Sequence, residues 1–403
     1  MAARPMPRRL AILTVVVGAL AAACAPVTAP PPAPPPPAAQ SAPPPPPPPP
    51  PPAACTSTTE VPTPSNPVEY VAVVDDGDGD AEVETFTATS AAERDLHVAA
   101  LDARGGVVAV EEDLPVYAQV SMDDEPFVPE QWGLAAAGLP GAWAAGYDGA
   151  GQVIAIVDSG VASGHPEFAG RLRPGHFFLG DLEGDGAEDD HGHGTHVAGI
   201  AAAGDNGEYG LGAAPQAEIL PVKVLNDQGS GAFSDVAEGI DWAVAQGADV
   251  INLSLGAPYP SCSAAIQQEI DEANAKGVVV VAAAGNDGSD RIGAPGGSTG
   301  VITVGATTST GDKAPYSNHG PFVDIGAPGS GVLSTLPANG FGSKSGTSMA
   351  TPFIAGTVAL LRQKCGDVSW GQALNILRTH AGPMVPGLGA PRLAADLAVA
   401  NAC

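Results

Sequence analysis

The sequence predicts an α/β fold in layers around a central, mainly parallel sheet, preceded by a small α+β unit. Two observations carry the larger part. Residues 153–157, 219–224, 250–253, 278–283 and 301–304 are nearly continuous apolar runs, as strands buried on both faces must be. Between them, Phe233, Val236, Ala237, Ile240 and Val244 recur at helical spacing, as do Ile266, Ile270 and Ala273. Buried strands separated by amphipathic helices imply a parallel sheet covered on both sides. In such sheets functional groups collect at the carboxyl ends of the strands.

Taken from its start, the chain opens with Arg4, Arg8 and Arg9 before an apolar run of 14 residues, 10–23. The run is too short to span a bilayer and has the layout of a secretory signal peptide, assigned to residues 1–23. Export is therefore expected. The run ends at Cys24, and 20–24 resembles a bacterial lipobox with its leucine one place early. Lipidation of Cys24 and ordinary cleavage after a small-x-small site both remain open.

Residues 24–67 form a linker. Positions 26–53 hold 18 prolines, ten of them consecutive at 43–52. Such a stretch builds no core and reads as a stiff polyproline II spacer, about 3.1 Å per residue. Residues 68–119 then change character, with short apolar-alternating runs at 69–74 and 107–110 around a helix-compatible middle, 91–101. From 68 to 125 there are 16 acidic and 2 basic residues, a net of -14. A unit this small and this charged is marginal by itself and needs a partner surface.

Over the whole chain the net charge is -28, with five lysines. This balance argues against nucleic acid and anionic membrane surfaces as partners. The five cysteines, at 24, 55, 262, 365 and 403, show no Cys-x-x-Cys or zinc-finger spacing.

Residues 120–403 contain three chemically suggestive segments. Asp158 follows the run 153–157 at a strand's carboxyl end. His193-Gly194-Thr195-His196 opens an apolar helix, and Gly346-Thr347-Ser348 precedes another, 353–361. Unpaired N–H groups and the helix dipole at such an N-terminus favour a developing anion beside a Ser348 nucleophile, although Gly-Thr-Ser there is also a common helix cap. His193 and His196 invite a metal reading, but no acid lies between them in the zinc-protease pattern and no third ligand is evident.

Together, Asp158-Ser159-Gly160, His193-Gly194-Thr195-His196-Val197-Ala198-Gly199 and Gly346-Thr347-Ser348-Met349-Ala350-Thr351-Pro352 resemble, in order, the three signatures of the subtilisin-like serine proteases. The resemblance implies a three-layer subtilisin-like fold over 120–403 and a serine endopeptidase working on peptides and proteins. Ser348 would be the nucleophile, His193 the general base and Asp158 its partner. Asn286, after Ala282-Ala283-Ala284-Gly285, would donate to the oxyanion beside the Ser348 N–H. His196 becomes a packing residue, and His165, His176, His191, His319 and His380 are taken as structural or surface residues.

The same resemblance makes Gly229, Ser230 and Gly231 one peptide-clamping strand and Ser254, Leu255 and Gly256 the other. Leu255, Gly256, Ala283 and Gly293 would shape a roomy apolar S1 pocket, and Phe233 would line S4. A large apolar P1 residue is expected, with Asp287 the residue that could favour a basic one. No cofactor is needed for catalysis. A structural calcium is suggested by Glu167 and Asn206, although Val128 stands where another ligand is expected; the acidic run 181–190 could also hold a hard cation or be a solvated loop.

The unit 68–119 resembles the inhibitor-type propeptide found before this catalytic domain, so the chain's own propeptide is an expected partner and the protein a zymogen. Self-cleavage is expected between Gln119 and Pro126, most simply after Gln119. That cut would free the enzyme from any lipid on Cys24 into the extracellular medium, unless the propeptide stays bound, in which case the product remains at the cell envelope. Cys365 and Cys403 could form a disulfide, Cys55 and Cys262 have no evident partners, and a monomer is expected. A catalytically silent binding protein and a processing peptidase with one target are the competing readings.

Overall fold

The computed structural model describes residues 68–75, 81–103, 106–112, 115–118, 131–180, 182–206 and 210–403, all within one compact unit, Pro49–Cys403. The leader, Cys24, the proline spacer, Cys55 and the segment 119–130 lie outside the described residues.

The first elements are β1 (Val68–Asp75), β2 (Ala81–Ala88), α1 (Ala91–Asp102), β3 (Gly106–Glu112) and β4 (Pro115–Ala118). The first three strands make an antiparallel sheet in the order β2-β1-β3. Period-two alternation divides β1 between two environments. Ala72 and Val74 cluster with Leu101 of α1, whereas Val71 and Val73 join a core shared with the helices that follow.

The larger part runs α2 (Trp132–Ala136), α3 (Leu139–Ala144), β5 (Val153–Asp158), β6 (His176–Leu179), β7 (Leu182–Asp185), α4 (His193–Ala202), β8 (Glu218–Lys223), β9 (Ser230–Ala232) and α5 (Phe233–Ala245). It continues with β10 (Val250–Leu253), β11 (Leu255–Gly256), α6 (Ala264–Ala275), β12 (Val279–Ala283), β13 (Val301–Thr307) and β14 (Ile325–Pro328). The chain closes with β15 (Val332–Leu336), β16 (Gly340–Lys344), α7 (Thr347–Cys365), α8 (Trp370–Thr379) and α9 (Ala395–Asn401).

Eight strands form the central sheet in the order β14-β13-β12-β10-β5-β8-β6-β7, parallel throughout except for the β6–β7 edge hairpin. The apolar runs serve both faces at once. Ile154 and Ile156 of β5 and Val279 and Val281 of β12 pack into the core with α4 and α7, while Val153, Ala155, Val157, Val280 and Ala282 face the core built with α5 and α6. This accounts for runs without alternation: each face is covered by helices, so no position is left for solvent. Strand β5 lies between β8 and β10, so successive strands leave it in opposite directions and a crevice opens at its carboxyl end, where Asp158 sits.

A disulfide joins Cys365, at the end of α7, to Cys403, 38 positions later. A loop of that length corresponds to roughly 3–4 kcal/mol in the chain-entropy account. Among the described residues no helix is long and apolar enough to cross a membrane.

Candidate active site

Asp158 and His193 form one bonded pair, and Asn286 is bonded to Thr347 beside Ser348, the four residues coming from four different segments of the chain. Asp158 ends β5, and its Oδ1 accepts both the Ser159 N–H at 2.7 Å and His193 Nδ1 at 2.7 Å. Both side chains of this pair are fully buried. With Nδ1–H committed to the carboxylate, the imidazole presents Nε2 as its acceptor, and that nitrogen is buried with no hydrogen-bond partner among the described residues.

Several residues hold this pair in position. Gly194 follows the histidine in the first turn of α4, and a Cβ there would run into the Gly160 carbonyl and the Asp158 side chain. Only glycine lets the helix press against the β5 loop. Asp189 is 5% exposed and ties the two segments together. Its Oδ1 accepts Ser159 Oγ at 2.8 Å and Gly192 N at 2.8 Å, and its Oδ2 accepts Thr195 N at 2.8 Å and Thr195 Oγ1 at 2.5 Å. It satisfies open N–H groups at the start of α4, as a capping carboxylate does. The cation role considered for the run 181–190 therefore fails at Asp189, whose oxygens are already taken by neutral donors. Lys223, 6% exposed, donates to the Ser159 carbonyl at 2.7 Å and pairs with Asp190 at 3.6 Å. Neither Asp189 nor Lys223 stands out in the sequence, where one belongs to an acidic run and the other ends a strand.

Ser348 is the second residue of α7 and is fully buried. Its Oγ donates to the Ser254 carbonyl at 2.9 Å, while Ser254 Oγ donates to the Ser348 carbonyl at 2.9 Å. Ser254, expected as part of a peptide clamp, thus also positions the serine on α7. The Asn286 amide has one defined orientation: Oδ1 accepts Thr347 N at 2.9 Å and Thr347 Oγ1 at 3.1 Å. That leaves Nδ2 buried and without a partner among the described residues, beside the start of α7. Thr347 is a site residue that sequence reasoning missed; its adjacency to Ser348 was the available signal.

His196 accounts for the second histidine of the motif without a metal. It is fully buried on α4, its Nε2 lies 3.0 Å from the Gly342 carbonyl, and burial lowers its pKa from 6.5 to about 3. The folded protein therefore keeps it neutral while the unfolded chain takes up a proton below pH 6.5, so its contribution to stability is complete above that pH and is lost as pH falls toward 3. In a Ser348→Ala background, where self-digestion is not expected, wild-type His196 should cost about 3 kcal/mol more stability than His196→Gln between pH 7 and pH 4, read from denaturant midpoints. Equal slopes for the two proteins would remove His196 as an acid-sensitive group.

The other predicted positions fall into two groups. Strand β4 lies between β9 and β11, antiparallel to both, with Tyr117 opposite Ser230 and Gly256, Val116 opposite Gly231 and Ala118 opposite Leu255. Gly231 allows this approach, because a Cβ there would meet the Val224 carbonyl. Gly229 sits just before β9 with φ +71, and a Cβ on it would meet the His191 ring. Phe233 and Leu255 are both fully buried with β4 in its groove. Gly293 lies against the Ala257 carbonyl and Ser261, and Asp287 is exposed. The second group is the suggested calcium pair. Glu167 is buried with the Arg171 guanidinium as an electrostatic neighbour, and Asn206 is exposed past the end of α4. Glu167 belongs to no cluster of three acidic, histidine or cysteine ligands among the described residues. By themselves the two offer too few oxygens for the six to eight that calcium takes.

Residues 149–400 match the model of the subtilase family, Peptidase_S8. The chain is 41% identical to M-protease of Shouchella clausii (strain KSM-K16) over 258 residues, 64% of this chain and 65% of that protein. It is 41% identical to Subtilisin Savinase of Lederbergia lenta over 262 residues, 65% of this chain and 93% of the relative. Thermitase of Thermoactinomyces vulgaris is 44% identical over 241 residues, 59% and 84% of the two chains. A solved protease from Pseudoalteromonas arctica PAMC 21717 superposes with a TM-score of 0.64 at 33% identity, covering 70% of this chain and all of that one.

Proposed function

The chain belongs to the subtilase family and is a serine endopeptidase, and from that premise we propose that it is made as an exported zymogen that cuts itself and then hydrolyses peptide bonds in proteins. The observation that carries the reading is the buried 2.7 Å bond between Asp158 and His193 Nδ1, which leaves Nε2 buried and unpartnered among the described residues, free to act on Ser348. In the reaction, Ser348 Oγ turns from the Ser254 carbonyl toward Nε2, gives it its proton and attacks the scissile carbonyl. His193 then hands that proton to the leaving amine. A water entering by the same route completes hydrolysis, while Asp158 holds the imidazole tautomer and stabilises its positive form.

The carbonyl oxygen becomes negative during attack, and Asn286 Nδ2 and the Ser348 N–H are the donors proposed for it. Because Thr347 fixes the amide by its oxygen, Nδ2 pays no reorientation cost in the transition state. Asn286→Ala should lower kcat about 10²–10³-fold with KM nearly unchanged, a magnitude borrowed from subtilisin itself. A larger change in KM than in kcat would make Asn286 a ground-state binding residue instead.

Substrates would bind as β4 does, by adding an extended strand between β9 and β11. The groove of Gly229, Ser230, Gly231, Ser254, Leu255 and Gly256 supplies backbone partners, with Phe233 toward S4 and Gly293 beside S1. The exposed position of Asp287 favours an apolar over a basic P1 residue. The register of β4 also supports self-cleavage after Gln119. Ala118 is opposite Leu255, so the next position of a strand in that register faces Ser254, whose carbonyl holds the Ser348 hydroxyl. In this reading 68–119 is the propeptide and 120–403 the catalytic domain. Residues 1–23 are the export signal, 24–67 the linker, and Cys24 the site of any lipid. Any structural calcium at Glu167 and Asn206 takes no part in the chemistry.

N-terminal sequencing of the processed protein tests the cut, with Val120 expected as the first residue, and a library of internally quenched peptides tests the pocket. A processed chain starting elsewhere would refute the register argument. Cleavage no faster with Phe, Leu or Met at P1 than with Arg would refute the apolar pocket.

A further inference from the structure

Cys262 is disulfide-bonded, and its partner lies outside the described residues. Cys365 and Cys403 are bonded to each other, and the chain has five cysteines in all. Within the chain this leaves Cys24 and Cys55 as candidates, both of them upstream of Gln119. Cys262, which has no evident partner in the sequence, is thus bonded; a bond between distant segments leaves no local spacing to detect. We propose that Cys55 and Cys262 form a disulfide that keeps the 55–119 segment covalently attached to the catalytic domain after self-cleavage, so that release of the inhibitor requires reduction as well as hydrolysis.

The geometry favours Cys55. Cys262 immediately precedes Ser263, the cap of α6. Glu111 of β3 reaches this same corner, accepting Ser263 Oγ at 2.5 Å and Ala264 N at 2.6 Å. Glu111 is paired with Val71 of β1, only three residues from the start of that strand at Val68. The incoming chain therefore enters β1 close to Cys262, and the segment from Cys55 to Val68 extends up to roughly 40 Å, ample for the gap. Cys24 lies farther upstream, beyond the proline run, and its loop would be costlier to close. If Cys24 is lipidated, its sulfur is consumed as a thioether and cannot take part.

The chemistry balances in two independent steps. Forming the crosslink removes two protons and two electrons from the two thiols. Both pass to a disulfide donor of the exporting compartment by thiol–disulfide exchange through a mixed disulfide, releasing the donor as a dithiol. Self-cleavage adds one water across the peptide bond after Gln119 and leaves the S–S bond intact. The cut strand then competes for the groove intramolecularly, at an effective concentration on the order of mM. A dithiol reductant reverses the first step and lets the fragment diffuse away. One consequence concerns the tether: a lipid on Cys24 would remain connected to the active domain through residues 24–55 and the crosslink, so the cut would not free the enzyme.

The release half of this proposal rests on the self-cleavage reading, and the experiment separates the two. Full-length Ser348→Ala, which cannot cut, is alkylated without reduction, digested by a protease of other specificity and mapped by mass spectrometry. A peptide containing Cys55 linked to Cys262 is expected; an alkylated Cys262 or a Cys24–Cys262 peptide overturns the proposal whether or not wild type cuts. For wild type, non-reducing electrophoresis should show one band that separates into two on reduction, and peptidase activity should rise at least about tenfold with reductant. Cys262→Ser should separate into two bands and be active without reductant. Activity of the cleaved, still crosslinked wild type equal to that of Cys262→Ser overturns the inhibitory role. A chain that stays whole on reduction while its Cys55–Cys262 peptide is present refutes the self-cleavage reading alone.

Discussion

Ser348→Ala should abolish peptide hydrolysis and self-cleavage together, with kcat falling about 10⁶-fold, a scale borrowed from the subtilisin triad. The two losses are linked in the proposed reading because the groove that would hold a substrate already holds β4, and the register of that strand, continued by one position, leads to Ser254, whose carbonyl accepts the Ser348 hydroxyl. Removing one oxygen should disturb the fold little. Ser348 Oγ makes a bond to the Ser254 carbonyl, but the Ser348 carbonyl still accepts Ser254 Oγ and α7 still packs across β10, β12 and β13. The expected protein is folded, full-length and silent toward peptides. A variant retaining more than about a thousandth of wild-type turnover, or still producing the Val120 terminus when incubated alone, would exclude Ser348 as the nucleophile. A silent binding protein would show no activity in wild type either, so the same comparison disposes of that competing reading.

What the sequence exposes and what it conceals follow from the range of the interactions. The parallel sheet was legible because strands such as β5, β10 and β12 are buried on both faces, and that burial leaves an unbroken apolar run in each. The residues proposed as the triad were legible because Gly194 beside His193 and the helix start at Ser348 impose small-residue motifs around them. Strand β2, with Glu82, Glu84, Thr85 and Thr87 among its residues, shows no comparable run, since one edge of a small sheet holds it. Strand β4 has four residues and exists through its pairing with β9 and β11, more than a hundred positions away. Asp189 was concealed by its acidic neighbours, and the amide orientation of Asn286 depends on Thr347, 61 positions later. Local pattern reports burial and backbone geometry; it does not report which distant donor a carboxylate or amide will meet.

Asp158→Asn tests whether the carboxylate contributes charge as well as position. Oδ1 accepts from both Ser159 N and His193 Nδ1, and Oδ2 has no partner among the described residues. An asparagine can keep its oxygen at the Oδ1 position, with the new NH₂ where Oδ2 was, so both bonds and the imidazole tautomer can survive. What disappears is the negative charge beside an imidazole that must become positive during attack. Because the pair is fully buried, that charge acts with little solvent screening. The expected result is a fall in kcat of more than about tenfold and at most about 10⁴-fold, the upper figure being the loss where an equivalent asparagine also imposes the wrong imidazole tautomer, with KM for a peptide substrate held within a few-fold. Asp158→Ala would lose both position and charge and should be no more active than Asp158→Asn. If Asp158→Asn instead kept kcat within about tenfold of wild type while Asp158→Ala did not, the buried carboxylate would act through geometry alone, and the stabilisation of the imidazolium would have to come from elsewhere in the crevice.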